Sequence, residues 1–206
     1  MRIPGKKEAA PTQDVNASGL LYRELRTNVD LIISEFGKSS DLVVNVDANA
    51  KTGHVFAAIF LSEMVDDHIV DALSQELNQS KQACPKGSPD QFYVFLQERL
   101  SNVWRRFDSN DFKSLFNEIL DGNVVFLVDG MAVFFSVDAS SNEGRAIEQP
   151  TSQTIIKGPK DAFVEDIDKN LFLIRKRIRN KALKVEDMTI GSVTHTKIKL
   201  IYISNI

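Results

Sequence analysis

From Leu20 onward apolar residues recur at helical spacing. Leu21, Leu25, Val29, Ile32, Ile33 and Phe36 share one side, and Gly37 follows as a stop. Residues 41–61, DLVVNVDANAKTGHVFAAIFL, read as two strands around a polar turn. Helical spacing returns over 63–77, with Val65, Ile69, Leu73 and Leu77 as the stripe. A loop over 78–90 and two short helices, 91–100 and 111–120, come next. In NVVFLVDGMAVFFSV, residues 123–137, two apolar runs flank Asp129-Gly130, a pair suited to a tight turn with positive φ. Strands so nearly all apolar are expected in the middle of a sheet covered on both faces.

Residues 1–18 are polar and are read as a flexible tail. Another polar stretch, with Gly144 and Pro150, makes 140–157 the expected linker between subdomains 19–139 and 158–206. Beyond it the pattern repeats. TNVDLIISEFGKSSDLVV (27–44) is similar to KNLFLIRKRIRNKALKV (169–185), with Asn28 matching Asn170 at an offset of 142 (170 minus 28). FAAIFLS (56–62) matches IKLIYIS (198–204) at the same offset, and one residue slips in between. The first copy runs on into a helix, whereas the second stops at YISNI. The second subdomain is therefore expected to be incomplete, a part of a longer protein. The expected fold class is α/β: two related subdomains of mixed β-sheet packed with helices.

With 43% hydrophobic and 26% charged residues, the 206-residue chain can bury a substantial core. A net charge of -3 argues against a dedicated nucleic-acid binder. A single cysteine, Cys84, excludes an internal disulfide. The longest apolar run, VFAAIFL, is too short to span a bilayer.

Charge is uneven, however. From Lys169 to Lys184 there are seven Lys or Arg and no Asp or Glu. Ile167, Leu171, Ile174 and Ile178 form the expected buried stripe of this helix, leaving Arg175 and Arg179 on a flank and Arg177 on the polar face. Three readings stay open: a solvated face serving the helix dipole, a contact with carboxylates of a partner, or an anionic lipid or phosphate ligand. Gly158-Pro159-Lys160 is a turn before the helix, and a hinge with a ligand cleft is the sharper reading. Asn28 and Asn170, poor helix formers in equivalent places, bond neighbouring groups or a ligand.

His54, His68 and His195 are scattered, with no HxH, HExxH or CxxC spacing, Gly-rich phosphate loop or GxSxG. No catalytic residue, metal site or cofactor is expected.

Gly158-Pro159-Lys160, Glu165, Asn170, Leu173-Ile174-Arg175, Arg177-Ile178, Ile190-Gly191, and Leu200 with Tyr202 together resemble the soluble N-terminal region of the A subunits of spore germinant receptors. The likeness is dense from Leu120 to the end and thinner before it. Lys157 stands where the family prefers Arg, Ala162 replaces a usual Gly, and EQP is one residue longer than the family's Glu-Pro. The resemblance implies a non-enzymatic subunit of a nutrient-sensing complex in the spore inner membrane, its soluble part on the core side. Partners implied are B and C subunits and other A subunits, with a small nutrient as ligand and no nucleic acid. The full-length protein would be membrane-embedded. The expected role is sensing, signal transmission and receptor assembly; a pure scaffold that binds no small molecule is the alternative.

Overall fold

Residues 19–49, 51–83, 86–101, 106–141 and 163–204 are described by a computed structural model of the chain. The first apolar stripe does form a helix, α1 (Leu25–Glu35), but it starts later than the spacing suggests. Residues ahead of it are held extended instead. The Leu21 amide donates to Asn110 O at 2.9 Å, and Leu20 bridges Asp111. Asp129 then accepts the Leu25 amide at 3.0 Å and so holds the helix start. Gly37 and Lys38, both at positive φ, end the helix.

β1 (Leu42–Ala48) and β2 (Val55–Leu61) follow as an antiparallel pair, and α2 (Asp67–Ala83) and α3 (Pro89–Ser101) come after them. A short edge strand, β3 (Arg106–Ser109), was not foreseen, because four residues with one apolar side chain carry no periodicity. α4 (Phe112–Leu120), β4 (Val124–Val128) and β5 (Phe134–Val137) complete the first half. These strands form one antiparallel sheet in the order β1-β2-β4-β5-β3. The expected tight Asp129-Gly130 turn is opened into a longer connection. There Gly130 donates to Arg23 O at 2.9 Å, so the turn braces the chain entering α1 rather than only joining two strands.

The sheet is the middle of three layers. On one face Ile32 and Phe36 of α1 and Leu115 and Ile119 of α4 meet Ala57, Ile59, Leu61, Val125 and Leu127. On the other, Leu73 of α2 and Phe92, Tyr93 and Leu96 of α3 meet Phe56, Phe60, Phe126 and Phe135. Every residue of β4 is buried, as its unbroken apolar sequence requires.

Asp111 caps α4, accepting the Ser114 amide at 2.8 Å and the Ser109 hydroxyl at 2.6 Å. These two bonds hold its carboxyl below the ordinary 3.8. A lowered folded-state value means the cap's contribution is complete above that ordinary value and is lost as pH falls through the lowered one. Asp111→Ala is expected to cost about 1 kcal/mol near neutrality. In urea titrations the difference from the parent chain should shrink between about pH 5 and about pH 2.

α5 (Ile167–Arg177), β6 (Leu183–Ile190) and β7 (Thr196–Ile203) repeat the helix–strand–strand order of α1, β1 and β2. The helix starts differ by 142 (167 minus 25), the first strands by 141 (183 minus 42) and the second-strand ends by 142 (203 minus 61). Leu42 pairs with Leu61 in the first copy, and Leu183 with Ile203 in the second. The one-residue slip read in the sequence thus lies between helix and strand. β6 and β7 make a separate two-stranded sheet. The expected linker, 140–157, lies outside the described residues apart from Ser140 and Ser141. Phe172 and Leu173 of α5 enter the same apolar cluster as α1 and α4.

Candidate functional site at the junction of the repeats

The buried face of α5 is Leu171, Phe172, Leu173 and Arg175. This corrects the stripe expected from spacing: Ile174 is half-buried and Ile178 exposed. An arginine faces inward because a carboxylate waits for it. Arg175 Nε donates to Asp41 Oδ2 at 2.8 Å, and Nη2 donates to Asp41 Oδ1 at 2.9 Å, a two-pronged pair. Both side chains are essentially inaccessible, at 1% and 0% exposure.

Ser39 closes the arrangement. Its hydroxyl donates to Asp41 Oδ1 at 2.6 Å, accepts from Arg175 Nη2 at 3.2 Å, and accepts the Val185 amide of β6 at 2.8 Å. The Ser40 amide donates to Val185 O at 2.9 Å. The loop between α1 and β1 is therefore bonded to both the helix and the first strand of the second repeat.

Lys184 is buried beside it and donates from Nζ to Glu35 O at 2.7 Å and to Lys181 O at 2.9 Å. A cation at the last carbonyls of α1 suits the negative end of that helix. Burial, and then the nearby charge of Arg175, push its ammonium below the ordinary lysine value. Its chain also lies where a side chain at Gly37 would be: a Cβ there would come within 2.6 Å of Lys184 Cε.

On the other flank Lys199 of β7 reaches Glu63 at 3.0 Å, Asp168 at 3.1 Å and Asp187 at 3.4 Å. Burial opposes its charge, but hydrogen bonds to Glu63 and Asp168 outweigh that and raise its pKa.

Two further cations of the basic run also turn toward the first repeat. Arg179 pairs with Asp121 at 2.7 Å, half-exposed, and Lys181 pairs with Glu35 and lies 4.5 Å from the centre of the Phe116 ring. Lys176 sits over Phe172 of its own helix at 5.5 Å. Arg177 remains on the exposed face, as the sequence suggested. For Arg175 the outward partner contact is replaced by an inward one.

Asn28 and Asn170 do the same job in both copies. Asn28 accepts the Tyr22 amide at 2.9 Å and donates to Tyr22 O at 2.7 Å; Asn170 does so with Val164 at 2.8 and 2.7 Å. Each side-chain amide clasps the residue six positions earlier and fixes the chain's entry into its helix. Asn28 is buried and Asn170 only half-buried. Asn28→Ala is therefore expected to cost about 1–3 kcal/mol and Asn170→Ala less than about 1 kcal/mol in chemical denaturation. Gly158, Pro159 and Lys160 lie outside the described residues.

Sequence reasoning missed Ser39, Asp41, Lys184 and Lys199. Arg175 and Asp41 stand 134 positions apart, and no local pattern joins them. The available signal was a lone acid, Asp41, opening the apolar strand LVV, a position where an unpaired charge would be costly.

A cavity of about 440 Å³ beside this junction is lined by Glu63, Asp66, Asp168, Lys169 and Phe172 among others. Among the described residues no group of three His, Cys, Asp or Glu could hold a metal ion, and no helix is long and apolar enough to cross a membrane. The outward face of β6–β7 carries Met188, Ile190, Ile198, Leu200 and Tyr202, all exposed. In the first repeat the matching positions Phe56, Ala58 and Phe60 face α2 and α3.

The family model described as Bacillus/Clostridium GerA spore germination protein matches residues 30–206. Spore germination protein KA of Bacillus subtilis is 29% identical over 189 residues, covering 91% of this chain and 34% of the relative. Spore germination protein A1 of the same organism is 28% identical over 173 residues, covering 81% and 33%. The chain thus spans about a third of the length of these relatives. Among solved structures, the N-terminal domain of the A subunit of the Bacillus megaterium spore germinant receptor GerK3 superposes with a TM-score of 0.70. Its identity is 26%, with 91% of this chain and 67% of that one covered.

Proposed function

The chain belongs to the Bacillus/Clostridium GerA family of spore germination proteins, and on that premise we propose that it transmits a nutrient signal within a germinant receptor. In this reading it takes part in germinant sensing and in assembly with B and C subunits and other A subunits. It lies on the core side of the spore inner membrane. It performs no chemistry of its own. The observation that carries the reading is the buried Arg175–Asp41–Ser39 junction. Because this junction also bonds Val185, a shift of α5 or β6 cannot leave the α1–β1 loop where it was. A bias applied to one repeat is thereby passed to the other.

Arg175→Lys keeps the charge but loses the planar fork. In spores carrying the full-length receptor it is expected to slow nutrient-triggered germination at an unchanged receptor level. An unaltered response at normal level would contradict the proposal.

The scaffold reading is favoured by one observation, the exposed apolar face of β6–β7. Leu200→Glu on that face separates the two. If the domain only scaffolds, co-purification of the other subunits and germination should fall together. If it transmits, Arg175→Lys should lower germination with co-purification intact.

A further inference from the structure

We propose that the second repeat is hinged on the first at one end of α5 and latched at the other, with Lys199 as the latch. The grip on α5 is uneven. At its C-terminal end the buried Arg175–Asp41 pair is joined by Lys184, which donates to Glu35 O, and by the Ser40 amide, which donates to Val185 O. Phe172 and Leu173 make apolar contact midway. At the N-terminal end the tie is Lys199, which reaches Glu63 of the first repeat at 3.0 Å. Lys199 also gathers two acids of its own repeat, Asp168 at 3.1 Å and Asp187 at 3.4 Å.

Beside the latch, the cavity of about 440 Å³ has like charges on its two walls. Glu63, Asp66 and Asp67 line it from the first repeat, and Asp166 and Asp168 line it from the second. Lys169 lies in the same lining, but its ion pair, 4.0 Å to Asp166, stays within the second repeat. Lys199 is therefore the cation that draws the walls together. Its side chain and that of Glu63 are each only 12% exposed, so salt screens the pair little. Without Lys199 the Glu63 carboxylate would be stranded with little water, opposite Asp168 and Asp187. Widening the cavity is the way to hydrate it.

Hinge and latch meet at the end of β2. The Ser62 amide donates to Asp41 O at 2.9 Å, and the Ser62 hydroxyl donates to Glu63 Oε2. Release of Lys199 lets the second repeat rotate about Arg175 and carry the α1–β1 loop with it, because Ser40 stays bonded to Val185. This rests on the transmission reading and gives it a direction of motion. Its test reads the domain and not germination, so the two can fail separately.

Amide residual dipolar couplings of the isotope-labelled chain report the orientation of one repeat relative to the other. In the parent chain one alignment tensor should fit both repeats. Lys199→Met keeps the apolar stem and removes the charge. The couplings of α5, β6 and β7 should then shrink relative to those of the five-stranded sheet and require a tensor of their own. The Ser40 and Val185 amides should keep their protection from hydrogen exchange, because the hinge bonds persist. Adding Glu63→Gln to Lys199→Met removes the stranded charge and should return both repeats to one tensor. The proposal is overturned if one tensor still fits Lys199→Met, or if the second tensor persists after Glu63→Gln. Lost protection at Ser40 and Val185 would overturn the hinge. Loss of the folded spectrum in Lys199→Met overturns the proposal as well, since Lys199 would then be part of the fold and not a latch.

Discussion

Arg175→Met should lower the unfolding free energy by about 3–5 kcal/mol, because it strands the Asp41 carboxylate in the interior. Asp41 is fully buried, and Arg175 supplies both of the cationic hydrogen bonds it receives; among the described residues only the Ser39 hydroxyl would remain. The size of the effect comes from the uncompensated charge and not from the pair's net worth. A second variant therefore checks the argument: Arg175→Met with Asp41→Leu should recover a large part of the loss, since it removes the buried charge altogether. Urea unfolding of the three chains measures this. A cost below about 1 kcal/mol for Arg175→Met, the value of an exposed pair, would mean that the junction is open to water. By contrast, Arg179→Met, which breaks a half-exposed pair with Asp121, should change stability by no more than about 1 kcal/mol.

Phe126→Ala is the other large effect expected, at about 3–5 kcal/mol. Phe126 is the middle residue of β4, at 0% exposure, and stacks on its cross-strand partner Phe135 at 5.0 Å and 14°. Strands on both sides and helices on both faces leave little room for the site to close over a lost ring. In a domain of this length that corresponds to a fall in melting temperature of about 10 °C. Phe107, on the edge strand β3 and 44% exposed, is the comparison: Phe107→Ala should cost under about 1 kcal/mol. Thermal scans giving equal shifts for the two would refute the central placement of β4.

What the chain disclosed depended on whether a feature was local. The β1–β2 pair, the central β4–β5 strands and the two short helices were legible because period and turn chemistry lie within a few residues. The repeat was legible because Asn28 and Asn170, and the two strand pairs, keep nearly one offset. Spacing places helix α1 too early because the chain from Leu20 to Glu24 obeys helical spacing while its hydrogen bonds are made with Asn110, Asn28 and Gly130. The orientation of α5 was misread for a related reason. A rule that counts only apolar residues puts Ile178 inside and Arg175 outside, and Asp41 reverses that order from the opposite end of the chain. The seven-cation run met the same difficulty. Three of its cations, Arg175, Arg179 and Lys181, find Asp41, Asp121 and Glu35 in the first repeat, so a patch that looks unbalanced in one dimension is partly paired in three.

Native-state hydrogen exchange tests most directly whether the two repeats move as one body. The buried junction predicts that the amides of Leu171 to Arg175 open with the same free energy as those of Val125 to Leu127 in the central strand. Opening of the α5 amides at more than about 2 kcal/mol below the β4 amides would contradict it. α5 would then come away on its own, and the path by which a signal is proposed to pass between the repeats would be lost.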